Sequence, residues 1–191
     1  MFASRLIASL SLPALLLASC ANAQSGDSAA PAADAAPPFA VTPTASFNEP
    51  WALAFAPGTA MLFITEKSGT IKVMDTATGV LGSVSGAPVV DYGGQGGLGD
   101  IAFLASEAGR PLDGRTVYLS WVEAGEADTR GAVVGRGTLA CTGPQACAIE
   151  ALTVIWRQAP KVTGRGHYSH RLAPSPDGKH LFIASGERQK M

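Results

Sequence analysis

The chain has 191 residues, 47% of them hydrophobic and 15% charged, enough apolar material for a sizeable core and too much for wholesale disorder. Lys and Arg number 14 and Asp and Glu 15, so the formal net charge of −1 lacks the basic excess of a nucleic-acid binder. No run approaches the roughly 18 apolar residues of a membrane-spanning helix.

The first segment reads as an address. Arg5 gives a positive start, and residues 6–17 form an apolar stretch of 12 residues, too short to span a bilayer. It ends in Leu17-Ala18-Ser19-Cys20, which resembles a bacterial lipobox with Cys20 as the lipidated residue. The rival is ordinary cleavage after Ala21-Asn22-Ala23. Either reading implies export: the lipobox makes residues 1–19 a lipoprotein-type signal peptide and the protein periplasm-facing, held to the membrane by its lipid alone, whereas the rival leaves it secreted to the periplasm. Residues 20–38 have almost no large side chains and no periodicity, so they cannot repay their ordering entropy. They read as a flexible Ala/Pro-rich tether, with the folded part at 39–191.

The folded part reads as strands. Residues 51–56 (WALAFA), 61–65 (MLFIT) and 70–74 (TIKVM) are separated by Pro57-Gly58 and Ser68-Gly69. Residues 100–104, 116–122 (TVYLSWV), 132–139, 149–155, 168–173 and 181–185 (LFIAS) continue the series. No window of helical length shows a helical period outside the signal. Cys141 and Cys147 flank the turn signal Gly143-Pro144 between two apolar runs, which predicts a hairpin closed by a disulfide in an oxidising compartment. C-x5-C without a nearby partner pair is poor zinc spacing.

A loose repeat is visible. AFAPGTAMLFITEKSGTIKV resembles LAPSPDGKHLFIASGER, with a weaker copy between them. Aligning Phe63, Tyr118 and Phe182 gives spacings of 55 and 64 residues, close to the period of four-stranded propeller blades. The alternative is a generic all-β sandwich. About three blades fit, and three cannot close a ring. The expectation is therefore an all-β partial propeller, truncated at its C-terminus.

The motifs are more specific. Gly94-Gln95-Gly96-Gly97-Leu98-Gly99-Asp100 resembles the GQGGLLD motif of soluble quinoprotein glucose dehydrogenases and aldose sugar dehydrogenases. Residues 49–55 resemble that family's opening strand, Thr65-Glu66-Lys67-Ser68-Gly69 its TE-(R/K)-x-G turn, and Gly166-His167-Tyr168 with Arg171-Leu172 its catalytic-histidine segment. Pro176-Asp177-Gly178 and Ser185-Gly186-Glu187-Arg188 follow in order. The resemblance covers residues 47–191. It implies a six-bladed β-propeller, pyrroloquinoline quinone (PQQ) as cofactor with calcium, and oxidation of the C1 hydroxyl of aldoses to lactones. An external electron acceptor then re-oxidises the cofactor. The cofactor and calcium ligands are expected mostly beyond residue 191, and no metal ligand is assigned here.

The residue chemistry agrees with that expectation. Hydride leaves C1 more easily when the hydroxyl loses its proton in the same step, and an imidazole suits that task near neutral pH. His167 is the expected base. Glu187 stands where the family carries Asp against the base, one methylene longer. Gln95 is expected to contact substrate or quinone, its Gly neighbours letting backbone approach a flat ligand. Arg171 is expected either near the site or paired with a carboxylate, and Asp100 as a structural strand-end residue. His167 and His170 form H-x-x-H on an extended segment, where they do not share a face, so zinc is not expected.

Two departures from the family pattern stand out. Gly99 replaces a usual second Leu, and Ser169-His170 replaces small residues, often Gly-Gly. His170 is expected to set a bulky ring beside the base. Three other readings are a non-catalytic propeller or binding module, an inactive remnant, and a calcium-dependent lactonase-like propeller. The last needs converging carboxylates and Asn, of which the chain offers few.

Overall fold

The computed structural model describes residues 39–190. The signal, Cys20 and the tether lie outside the described residues.

The described chain is all β apart from a single 3-10 turn at Ala105–Glu107. Four strands, β1 (Pro50–Phe55), β2 (Met61–Glu66), β3 (Thr70–Asp75) and β4 (Leu81–Ser85), form an antiparallel meander. A second meander follows from β5 (Leu98–Phe103), β6 (Thr116–Ala124), β7 (Arg130–Gly143) and β8 (Ala146–Arg157). The final pair, β9 (Ser169–Pro174) and β10 (Leu181–Ser185), is a separate antiparallel hairpin. The described strands thus make two four-stranded units and a two-stranded one, against the roughly three units that the repeat suggested.

The two meanders are joined into one eight-stranded sheet by a short parallel pairing of β4 with β8, from Ser83–Ala146 to Ser85–Ala148. The pairing is tight at Gly82, where a Cβ would stand 2.1 Å from the Gln145 carbonyl oxygen. β4 is the strand that the sequence pattern did not reveal.

Side-chain alternation explains the layering. On β6, Val117, Leu119 and Trp121 point into the main core with Phe63, Ile71 and Val73 of the first meander. Tyr118 of the same strand faces a second cluster with Val134, Leu172 and Ile183, under the β9–β10 hairpin. The second meander is therefore covered on both faces. Polar groups cross between layers as well: Thr65 Oγ1 donates to the Gly99 carbonyl at 2.6 Å, and Ser120 Oγ to the His170 carbonyl at 2.7 Å. Both bonds are buried, and buried polar groups need such partners.

Cys141 and Cys147 are cross-strand partners near the tip of the β7–β8 hairpin, joined through their sulfurs with Cα atoms 4.1 Å apart.

Candidate active site

Three segments meet at one place: the Gly-rich run before β5, the run 164–168 before β9, and the run that follows β10. Hydrogen bonds fix the meeting. Gln95 N–H donates to the Arg165 carbonyl at 2.8 Å, and His167 N–H donates to Gln95 Oε1 at 2.7 Å. Lys67 Nζ holds the Gly94 carbonyl at 2.7 Å, and the Lys67 carbonyl accepts from Leu98 N–H at 2.9 Å. Beneath them, Asp91 receives Arg130 Nε at 2.6 Å and Arg165 Nη1 at 2.7 Å.

The His167 ring is partly exposed, and its Nδ1 meets Glu187 Oε1 directly. The extra methylene of Glu relative to Asp does not prevent the contact. That hydrogen bond is the main reason why the Glu187 carboxyl is held below its ordinary value. A carboxylate on Nδ1 places the proton of the neutral ring there, leaving the Nε2 lone pair as acceptor. The amide nitrogen of Gln189 lies 3.4 Å from Nε2, and Gln189 N–H donates to Glu187 Oε1 at 3.1 Å. Gln95 and Glu187 thus both meet His167, the first at its backbone N–H and the second at its ring. Gln189 is a neighbour that sequence reasoning missed, because a Gln near the end of a polar run carries no motif signal.

Arg171 goes elsewhere. It lies 3.3 Å from both carboxylate oxygens of Asp100. Asp100 is buried within β5, and its carboxylate also accepts from Leu172 N–H at 2.8 Å and Ile101 N–H at 3.0 Å. This is a structural post tying β5 to β9.

Two of the glycines are required by the packing of the chain itself. A Cβ on Gly94 would stand 2.5 Å from the Arg165 carbonyl oxygen, and one on Gly97 2.1 Å from that of Lys67. At these two positions the close approach is to the protein's own backbone.

His170 differs from expectation. Its ring is turned inward, stacked on Tyr168 at 5.4 Å and edge-on to Trp51 at 5.9 Å, with only 3% of the residue exposed. Neither ring nitrogen has a hydrogen-bond partner. Burial pulls its pKa down to about 4. It supports the loop from below instead of standing in the open beside the base. His167, Ser169 and His170 all have φ between +49° and +66°, the left-handed region that favours glycine.

Among the described residues, no group of three or more His, Cys, Asp or Glu side chains converges as a metal site. The donor set at His167 suits a hydroxyl-bearing ligand: an imidazole acceptor, plus the Gln95 amide nitrogen, whose oxygen is already engaged.

The family description "Glucose / Sorbosone dehydrogenase" matches residues 47–191. The chain belongs to this family. Aldose sugar dehydrogenase YliI of Escherichia coli (strain K12) is 33% identical over 144 residues, covering 75% of this chain and 36% of that protein. A solved glucose dehydrogenase is 36% identical with a TM-score of 0.64, over 75% of this chain and 42% of its own. The PQQ-bound form of an aldose sugar dehydrogenase from Streptomyces coelicolor is 28% identical with a TM-score of 0.59, over 76% and 40%. The chain therefore spans about two-fifths of the length of these relatives.

Proposed function

We propose that the protein is a PQQ-dependent sugar dehydrogenase that oxidises the C1 hydroxyl of aldoses to lactones, and that this chain supplies the base of that reaction. The observation that carries the reading is the His167–Glu187 pair, held by Gln95, with Nε2 left as the acceptor of the ring beside the Gln189 amide. In this reading, the two meanders and the hairpin are the opening part of a six-bladed propeller.

His167 Nε2 takes the proton of the C1 hydroxyl as the C1–H bond gives up its hydride and the C1 carbonyl forms. The imidazolium so created is stabilised by Glu187, which also fixes the tautomer beforehand. The Gln189 amide must turn away for the hydroxyl to reach Nε2. The Gln95 amide nitrogen would donate to a carbonyl or hydroxyl of the bound cofactor or sugar. The chemistry that PQQ supplies when bound is acceptance of the hydride. Its remaining contacts and calcium are assigned to no residue of this chain. An external acceptor completes the cycle.

We propose further that the protein faces the periplasm, lipid-anchored at Cys20 with residues 20–38 as a tether. Mass spectrometry of the native N-terminus tests that: a diacylglyceryl Cys20 supports it, and an unmodified N-terminal Gln24 contradicts it.

The functional test is dye-linked aldose oxidation by the full-length protein, with and without added PQQ and calcium. Turnover that requires the quinone supports the proposal. Quinone binding without oxidation of any aldose, or aldose oxidation without quinone, contradicts it.

A further inference from the structure

Arg188 directly follows Glu187, yet it points the other way and is buried, with 2% of the residue exposed. A buried guanidinium needs every donor placed. Its Nε donates to the Gly166 carbonyl at 2.7 Å and Nη2 to the Gly164 carbonyl at 2.8 Å. Nη1 donates to the Arg130 carbonyl at 3.0 Å and lies 3.4 Å from Gln158 Oε1. The guanidinium carbon sits 3.6 Å from the centroid of the Tyr168 ring, a cation–π contact. Arg188 thus grips the residue before His167 through its carbonyl and the residue after it through its ring. It is joined by one peptide bond to the residue that meets His167 Nδ1.

A second buried arginine shows what is distinctive. Arg115 also gives its donors to carbonyls, those of Pro57, Ala108, Arg110 and Pro111, but none of these carries a site residue. Two of the three carbonyls that Arg188 takes, those of Gly164 and Gly166, belong to the run that presents the base, and the third, that of Arg130, anchors it to β7. Both ends of the contact need holding, since His167 has φ +49° and Arg188 φ +60°.

We infer that Arg188 is a positioning residue that sets His167 against Glu187, clamping the base-bearing run to the carboxylate-bearing run. The inference rests on the reading of His167 as base and Glu187 as its orienting carboxylate. Catalytic groups tolerate little misplacement, so the fork geometry of Arg matters and a point charge does not replace it.

The test reads the imidazole directly. The chain has three histidines, so long-range 15N–1H spectra of the labelled full chain are simple, and His167→Ala assigns the signal. At mildly alkaline pH, the parent should show His167 mainly as the Nδ1–H tautomer. Arg188→Met should lose that bias, and Arg188→Lys, which keeps a cation over Tyr168 but not the fork, should recover it only in part. In the full-length enzyme, the same variants should lower kcat and leave KM nearly unchanged. A folded Arg188→Met chain with the parent tautomer would overturn the inference. If neither variant folds, the parent decides: a slowly exchanging Arg188 Nε proton with a cross-peak to the Tyr168 ring supports the clamp, and its absence overturns it. A tautomer bias that depends on Arg188 in a protein that oxidises no aldose leaves the clamp standing and removes the dehydrogenase reading.

Discussion

Gly99 and His170 are fitted to each other: a Cβ at position 99 would lie 2.4 Å from His170 Nδ1 and 2.7 Å from Ser120 Oγ. The two departures from the family pattern are therefore one structural change. The absence of a side chain on β5 makes room for the imidazole of β9. His170 fills it, stacked on Tyr168 beneath the run that carries His167.

Gly99→Ala should accordingly destabilise the chain by about 1–3 kcal/mol, the usual cost of overpacking. In the His170→Gly background, the same change should cost clearly less. Urea unfolding of the four proteins in this cycle measures the coupling. Additive effects would show that the two sites are independent.

His170 also predicts a pH dependence of stability. An unfolded histidine titrates near 6.5, whereas this one is held at about 4 in the folded chain. Between those values the unfolded state takes up a proton and the folded state does not. The contribution of neutral, buried His170 is full above about pH 6.5 and is lost as pH falls toward 4. The slope is at most about 1.4 kcal/mol per pH unit in that window. Unfolding free energies of the parent and His170→Leu, compared at neutral and mildly acidic pH, test this. Equal acid sensitivity in the two proteins would contradict it.

Much of this architecture was readable in the sequence, for physical reasons. TVYLSWV reads as a strand by its alternating large side chains and LFIAS by its short apolar run after a turn, and the structure has β6 and β10 there. β4 (LGSVS) escaped because it offers only Leu81 and Val84 among small residues, and it owes its place to pairing with β3 and β8. At the site, His167, Gln95 and Glu187 could be singled out because each sits in a short motif. Arg188 shares the motif of Glu187, but only the fold shows its side chain turned inward, and Gln189 carries no motif signal. Arg171 was expected either near the site or paired with a carboxylate, and only the fold shows the carboxylate of Asp100 beside it.

The Cys141–Cys147 link lies where β8 turns to run beside β4. Free-thiol labelling of unfolded, unreduced protein should detect neither residue. Cys141→Ser with Cys147→Ser should cost about 2 kcal/mol, reflecting the short loop that is closed. Labelling of both residues would exclude the disulfide, and equal unfolding midpoints would show that it adds no stability.

The central claim is that His167 removes the substrate proton while Glu187 orients and stabilises it. The most direct measurement is kcat for aldose oxidation by full-length, PQQ-loaded protein carrying His167→Ala or Glu187→Gln, with quinone binding followed in parallel. His167→Ala should lose about 10²–10⁴-fold in kcat with quinone binding nearly intact, and Glu187→Gln should lose less. A His167→Ala protein within about threefold of the parent rate would contradict the account, because loss of a general base cannot be that mild.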